Sequence, residues 1–170
     1  EFESLGYNVD YRVINAADYA VPQNRIRVFI LGVKKNKKTE FAWLEPEITD
    51  IKKRITIEQA LQGIPEPNGN NILLNHIGSK YKITNRNFTG HRKTDPNKPS
   101  PTILARGNGK GGVCAIQHFK NHRRMTVREQ AIIQTFPLDF EFFGSISSMY
   151  RQVGNAVPVK LAYKIAKCFK

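Results

Sequence analysis

The stretch Val21-Pro22-Gln23-Asn24-Arg25-Ile26-Arg27-Val28-Phe29-Ile30-Leu31-Gly32-Val33 decides how the rest of this chain is read. Its second half is an apolar run rich in β-branched residues and predicts a strand, and its first half plants two cations at the mouth of that strand. Successive side chains of an extended segment point to opposite sides, so the alternation Arg25, Ile26, Arg27 puts both guanidiniums on one face. Two parallel forks of donors suit phosphate oxygens or a base edge. An edge strand guarded by charge has the same pattern, so the pentapeptide from Gln23 to Arg27 leaves both readings open.

Outward from this stretch, Tyr7 to Ile14 repeats the strand-like composition, and residues 15–23 are a simple connection. The two runs are expected to pair as antiparallel neighbours in one sheet. Lys34 to Lys38 then reads as a solvated loop. Ile55 to Leu61 predicts a short helix opened by Thr56 as N-cap and closed by Gly63, with Pro65 and Pro67 barring continuation. Thr126 to Thr135 predicts a second helix, with Glu129 as capping-box partner of Thr126 and Phe136-Pro137 as its end. Pro158 to Phe169 predicts a third, with Pro158 in its first turn, an apolar face of Leu161, Ala162, Ile165 and Phe169, and lysines opposite.

Composition narrows the function. Among 170 residues, 27 Lys and Arg face 14 Asp and Glu, for a net charge of +13. That balance implies an acidic partner, with nucleic acid first and a membrane surface second. No apolar stretch approaches the ~18 residues that span a bilayer, and no secretory signal is visible, which leads us to expect a soluble, intracellular protein. Two cysteines, Cys114 and Cys168, are too few for a disulfide framework and are expected as reduced thiols. Cys114, His118 and His122 recur every four residues, but the segment reads as strand then loop and no fourth ligand is evident, so a metal site is set aside.

Between Asn68 and about Asn121 the composition shifts to Asn, Gly, Lys, Arg and Thr. Asp95 is the only acidic residue between Ser79 and Asn121, against Lys80, Lys82, Arg86, Arg92, Lys93, Lys98, Arg106, Lys110 and Lys120. Such an imbalance favours a surface facing a polyanion. Pro99 to Leu104 reads as a stiff turn into a strand. Gly107, Gly109 and Gly112 have the spacing of a dinucleotide loop. The extended Val113-Cys114-Ala115-Ile116 behind them argues instead for a glycine-rich hairpin that lets backbone approach a ligand closely.

Three segments in order carry a resemblance. Asp18 to Arg27 is similar to the eighth motif, Gln-x-Arg-x-Arg, of the cytosine-5 DNA methyltransferases. Arg124 to Glu129 with Gln134-Thr135-Phe136-Pro137 resembles the ninth, and Tyr150-Arg151-Gln152-Val153-Gly154-Asn155-Ala156-Val157-Pro158 the tenth. In this family the gap between eighth and ninth holds the target recognition domain. The resemblance implies an α/β fold: part of a Rossmann-like, S-adenosylmethionine-dependent methyltransferase sheet with a small, mostly β recognition module. It divides the chain into catalytic-domain strands with motif VIII and a linker (1–67), the recognition domain (68–123), and motifs IX and X with a terminal helix returning to the catalytic domain (124–170).

The implied reaction adds a Cys thiolate to the cytosine ring, transfers methyl from S-adenosylmethionine to carbon 5, and eliminates the Cys. The base must leave the stack, at a cost of about a few kcal/mol. By resemblance Arg27 reaches the flipped base, Arg25 supports it, and Gln23 holds the loop. The cofactor segment is Gly154, Asn155 and Val157, with Gly154-Asn155 expected as a tight turn before a helix. Arg124, Arg128 and Glu129 are expected to orient the recognition domain through buried arginine-carboxylate pairing. Arg86, Arg92, Arg106, Asn108 and Lys110 are the DNA-binding candidates, facing double-stranded DNA.

The resemblance also shows what this sequence lacks. Neither cysteine follows a proline as the nucleophile of a Pro-Cys-Gln loop does, and the Glu-Asn-Val segment and the cofactor's glycine loop are absent. Phe142-Phe143-Gly144 is a decoy for that loop. The chain opens on Glu1 within what reads as the middle of a domain. The expectation is the DNA-recognising C-terminal part of a methyltransferase of a restriction-modification system, inactive alone, cytoplasmic in a prokaryote and nucleoid-associated when bound to DNA. Its partner would be an N-terminal catalytic half on the same or a separate polypeptide. A natural small subunit of a split enzyme and a non-catalytic DNA-binding module remain the alternatives.

Overall fold

The computed structural model describes residues 1–67, 73–78, 94–105, 115–120 and 123–169. The candidates Arg86, Arg92, Arg106, Asn108 and Lys110, the glycines at 107, 109 and 112, Cys114 and His122 lie outside the described residues.

Strands β1 (Tyr7–Asn15) and β2 (Ile26–Lys34) pair antiparallel, with Tyr7 opposite Lys34 and Asn15 opposite Ile26. Their connection folds as one 3-10 turn, Ala16–Tyr19. The Asn15 side chain caps it, and Ala20 closes it in the left-handed region at φ 57°. Because paired residues share a face, Ile14, Phe29 and Leu31 fall on one side and Tyr11, Val13, Val28 and Ile30 on the other. The first side packs: Ile14 and Phe29 meet Ala16, Tyr19, Val21 and Trp43. On the second, Tyr11, Val13, Ile26, Val28 and Ile30 are all exposed.

A larger core draws on segments far apart in sequence. Ile57 and Leu61, Ile103, Ile116, Met125 and Val127, Ala131 and Ile133, and Phe142, Met149, Tyr150 and Val153 form one buried cluster. Helix α1 (Ile57–Ala60) opens on a capping box between Thr56 and Gln59, and Gly63 follows it at φ 78°. Helix α2 (Val127–Ile133) opens on the Thr126 and Glu129 box and is terminated by Thr135 at φ 60° before Pro137. Both starts match the sequence expectation, because a side-chain oxygen is there to take up an orphan amide. Helix α3 (Ile146–Asn155) is capped by Ser145, and α4 (Val159–Ala166) follows Pro158. Through Leu161 and Ile165, α4 returns the chain to the hairpin's packed face.

Several expectations need correction. Residues 99–105 form no regular strand; they run as an extended strap whose single ladder contact is a parallel bridge from Ser100 to Gln23. Proline at 99 and 101 removes the amides that a longer ladder would use. Among the described residues of 68–123 the only other bridge there is Gln117 to Arg124, and most of the segment expected as a mostly β module lies outside the described residues. The molecule is mixed α/β, with a two-stranded antiparallel sheet among the described residues. Gly154 and Asn155 are not a turn but the last two residues of α3. Pro158 stands just before α4 rather than inside its first turn, and Ala162 and Phe169 are exposed rather than part of a packed face.

Candidate functional site

The motif VIII segment lies in a slot between the strap and the C-terminal turn of α3. On the strap side, the Ser100 amide donates to Pro22 O (2.9 Å), the Asn24 amide to Ser100 O (2.8 Å), and Thr102 Oγ1 to Asn24 O (2.8 Å). Gln23 is fully buried and uses both ends of its amide: Oε1 accepts from the Ile103 amide and Nε2 donates to Gln134 Oε1, each at 3.0 Å. Gln134 in turn donates to Val153 O at 2.8 Å, which ties the end of α2 to α3. A side-chain amide is suited to this place because it offers a donor and an acceptor to opposite walls.

Arg25 crosses the same slot. Its guanidinium donates to Ile103 O (3.0 Å) and to Gly154 O (3.2 Å), and the residue is only 7% exposed. Burial first, and then the neighbouring charge of Arg27, push its pKa down from the ordinary 12.5. Gly154 has a packing reason to be glycine: a Cβ there would stand 2.5 Å from the Ala105 amide nitrogen and the Leu104 carbonyl carbon. Arg27 differs from Arg25 in kind. It sits at the exposed start of β2 with its guanidinium on its own Ile26 carbonyl, 2.7 Å away, and so presents charge at the surface. The alternation in sequence marked two cations; burial makes one of them internal.

At the other end of the slot Asn155 and Val157 are exposed on either side of Ala156, at the joint of α3 and α4. Asn155 offers an amide donor and acceptor at this joint, and Val157 an apolar surface.

A second polar cluster holds residues 116–118 and 123–124 against α2, and it corrects the expected pairing. Glu129 is buried, but its partner is Arg123, at 2.8 and 2.9 Å, rather than Arg124 or Arg128. Arg123 also reaches Glu66 at 3.0 Å. Burial pushes the Glu129 carboxyl up, yet Arg123 and the Thr126 amide more than offset it, and its pKa is held below the ordinary value. Arg124 lies over the Tyr150 ring at 3.5 Å. Tyr150 donates to Met125 O, and burial pushes its hydroxyl up to about 12 against the opposing charge of Arg124. Arg128 spends its guanidinium on three carbonyls, those of Leu74, Pro137 and Phe140. A planar fork with five donors can satisfy several carbonyls at once.

His118 belongs to the same cluster. Nδ1 accepts the Lys120 amide at 3.2 Å, so the neutral ring carries its proton on Nε2, 3.8 Å from Glu129 Oε1. His118 thus caps the bend at Phe119 and Lys120. Among the described residues no group of three or more His, Cys, Asp or Glu is placed to hold a metal ion. The reading from sequence also missed Arg123, Gln134 and α3. The signal for α3 was present: Ile146, Met149, Tyr150 and Val153 follow the spacing i, i+3, i+4, i+7 behind a capping serine.

The three motif segments, distant in sequence, thus meet around the buried Gln23 amide and the buried Arg25 guanidinium. The family model of the C-5 cytosine-specific DNA methylases matches residues 1–170. The chain belongs to that family. The type II methyltransferase M.MthTI of Methanothermobacter thermautotrophicus is 36% identical across 99% of this chain and 58% of its own length. M.NgoFVII of Neisseria gonorrhoeae is 36% identical across 98% of this chain and 51% of its own length. The chain therefore spans about half the length of the relatives it matches. In fold it is similar to the S. pombe Dnmt2 methyltransferase, with a TM-score of 0.65 at 18% identity over 96% of this chain and 56% of that one.

Proposed function

We propose that this chain is the DNA-recognising part of a cytosine-5 DNA methyltransferase of a restriction-modification system and acts only together with a catalytic half. That half would supply the Pro-Cys-Gln nucleophile, the Glu-Asn-Val segment and the glycine loop of the cofactor pocket. The observation that carries the reading is the slot itself, in which the eighth, ninth and tenth motifs of a methylase-family chain converge on Gln23 and Arg25.

In this reading Arg27, exposed at the head of β2, approaches the flipped cytosine, and its fixed charge helps offset the cost of unstacking. Arg25 and Gln23 hold the surrounding walls. Asn155 and Val157 would contact S-adenosylmethionine, which when bound supplies the electrophilic methyl group. Residues 68–123 are the recognition domain between a 1–67 catalytic segment and a 124–170 return. Arg86, Arg92, Arg106, Asn108 and Lys110 would meet double-stranded DNA, with Lys and Arg neutralising phosphates. The hairpin's exposed apolar face, with its shallow trough of about 420 Å³ lined by Phe2, Leu5, Tyr7, Val9, Ile30 and Gly32, would be covered where the sheet continues into a Rossmann-like whole. No helix among the described residues is long and apolar enough to cross a membrane, and a cytoplasmic, nucleoid-associated enzyme is the setting we assign.

The test is methyl transfer from labelled S-adenosylmethionine to mixed-sequence DNA, with the chain alone and with a catalytic half added. Activity is expected only on mixing, and Arg27→Ala is expected to lower kcat by about 10²–10³ through lost electrostatic stabilisation. Activity of the chain alone would overturn the division of labour.

A further inference from the structure

We propose that this chain pairs with a second copy of itself about a two-fold axis, the acidic, aromatic loop 137–143 of each copy lying against the basic stripe of helix α4 of the other. The inference goes beyond the methylase reading and does not depend on it.

The loop between α2 and α3, Pro137-Leu138-Asp139-Phe140-Glu141-Phe142-Phe143, carries two acids and no cation in a chain of net charge +13. Phe143 is 70% exposed and Leu138 more than half exposed, with Asp139 and Glu141 exposed between them. The backbone beneath them is fixed. Arg128 donates to the carbonyls of Pro137 and Phe140, Phe142 exchanges two hydrogen bonds with the Asn75 side chain (2.8 and 2.9 Å), and Phe143 O accepts from Gln152 Nε2 at 2.9 Å. The rings of Phe136, Phe140 and Phe142 pack on one another with centroids 4.9 to 5.1 Å apart. Apolar side chains held outward by a fixed backbone lose little freedom on binding, which suits a contact surface.

The complement lies on the same molecule. Lys160, Tyr163, Lys164 and Lys167 recur at i, i+3, i+4 and i+7 and form a stripe on α4 away from the packed Leu161 and Ile165. Tyr163 is more than half exposed, and Lys167 Nζ stands over its ring at 4.5 Å. Lys164 is spent on Glu47. Among the described residues Lys160, Lys167, Asp139 and Glu141 enter no salt bridge. The two patches adjoin. The Val159 amide donates to Gln134 O (3.0 Å) and the Lys160 amide to Thr135 Oγ1 (2.9 Å), so the stripe begins where the chain leaves α2 for the loop. A surface with an acidic half beside a basic half is self-complementary under a two-fold rotation, which lays each acidic half on the other copy's basic half. Leu138 and Phe143 then meet Tyr163 and the apolar stems of the lysines. The patch is smaller than the about 20–30 residues a side of a stable interface, so the pair is weak and salt-sensitive.

The experiment is sedimentation of the full 170-residue chain, with Val13→Thr and Val28→Thr in every sample so that the hairpin face does not contribute. The parent is expected to self-associate at about 0.05 M salt and to dissociate by about 0.5 M. Asp139→Lys with Glu141→Lys, and separately Lys160→Glu with Lys167→Glu, should each weaken pairing by about tenfold or more, because like charges then face each other across the axis. Mixed in equal amounts, the two variants should pair again to within about threefold of the parent, since every contact in the mixed pair joins opposite charges. Phe143→Ser should weaken pairing by about tenfold with an unchanged melting temperature. A parent that stays monomeric, variants that pair like the parent, or a mixture that pairs no better than its components overturns the proposal. A loss from the loop variant with none from the stripe variant also overturns it, because some other basic surface then lies opposite the loop.

Discussion

The β1–β2 hairpin and the helical cluster solve opposite problems with the same twenty side chains. In the cluster, charge and amide groups lie inside: Gln23, Arg124, Arg128, Glu129 and Gln134 are all at 2% exposure or less. On the hairpin, apolar groups lie outside: Tyr11 and Val13 are about two-thirds exposed, and Ile26, Val28 and Ile30 more than half. Gln23, Arg128 and Gln134 are tolerated because each is hydrogen-bonded to backbone from a distant segment, Glu129 is met by Arg123 and the Thr126 amide, and Arg124 lies over the Tyr150 ring. The cluster is thus stitched by its polar groups, whereas the hairpin face is left largely exposed. Helices as short as α1 and α2 would not stand alone in water, so what fixes them is this stitching and the core between them.

If the stitching is what holds the cluster, the most damaging change is at Arg128. Arg128→Leu takes the donors from the part-buried carbonyls of Leu74, Pro137 and Phe140 at once, for a loss on the order of 3 kcal/mol by urea unfolding. The exposed Arg27, changed to Leu in the same way, should shift stability by less than about 0.5 kcal/mol. Equal effects at the two sites would erase the contrast between internal and surface arginines. Gly154→Ala comes next. The added methyl meets strap backbone rather than a flexible side chain, and overpacking of this kind should cost about 3 kcal/mol. An alanine variant that melts like the wild type would mean that strap and helix part easily.

Local chemistry was legible in the sequence, and partner choice was not. The starts of α1 and α2 and the antiparallel pairing of the hairpin followed from Thr56, Thr126 and two β-branched runs, because caps and turns are decided within a few residues. Gly154-Asn155 was misread as a turn because glycine permits two inferences, a special φ or a close neighbour, and only the fold shows that the neighbour is Ala105. The Glu129 partner was missed for a similar reason. Arg123, Arg124 and Arg128 are all within reach of a helix N-terminus by sequence distance, and which of them turns inward toward the carboxylate depends on the Gln117 to Arg124 bridge. The pair Arg25 and Arg27 was expected to be functional from its motif, but the division between a buried clasp and a surface cation depends on a strap some 78 residues away in sequence.

Acid probes the cluster without a mutation. Burial, opposed in part by Glu129, holds the His118 pKa below its ordinary 6.5, so the folded state binds its proton less readily than the unfolded chain does. The His118 contribution is therefore complete above that value and is lost as pH falls through the lower folded pKa. Glu129, also held below its ordinary 4.5, adds loss in the same direction at still lower pH. The melting temperature should fall between pH 7 and 5, and His118→Gln should flatten that part of the curve. A wild-type curve that is flat across this window would show that His118 can accept a proton in place, paired with Glu129.

The smallest effect on the isolated chain is expected on the hairpin face, and for that reason it separates the two regions most cleanly. Val13 and Val28 are directly paired and exposed, so replacing both with Thr removes apolar surface without touching a buried contact and keeps the β-branched shape. Stability should change by less than about 0.5 kcal/mol. Sedimentation should nevertheless show less self-association, because an exposed apolar face beside an open strand edge invites a second copy. If the face is where a catalytic half packs, the same double variant should weaken complementation in the methyl-transfer assay while DNA binding by the chain is unaffected. Undiminished complementation would place that contact elsewhere, and the hairpin would then be an exposed sheet in its own right rather than one side of a larger core.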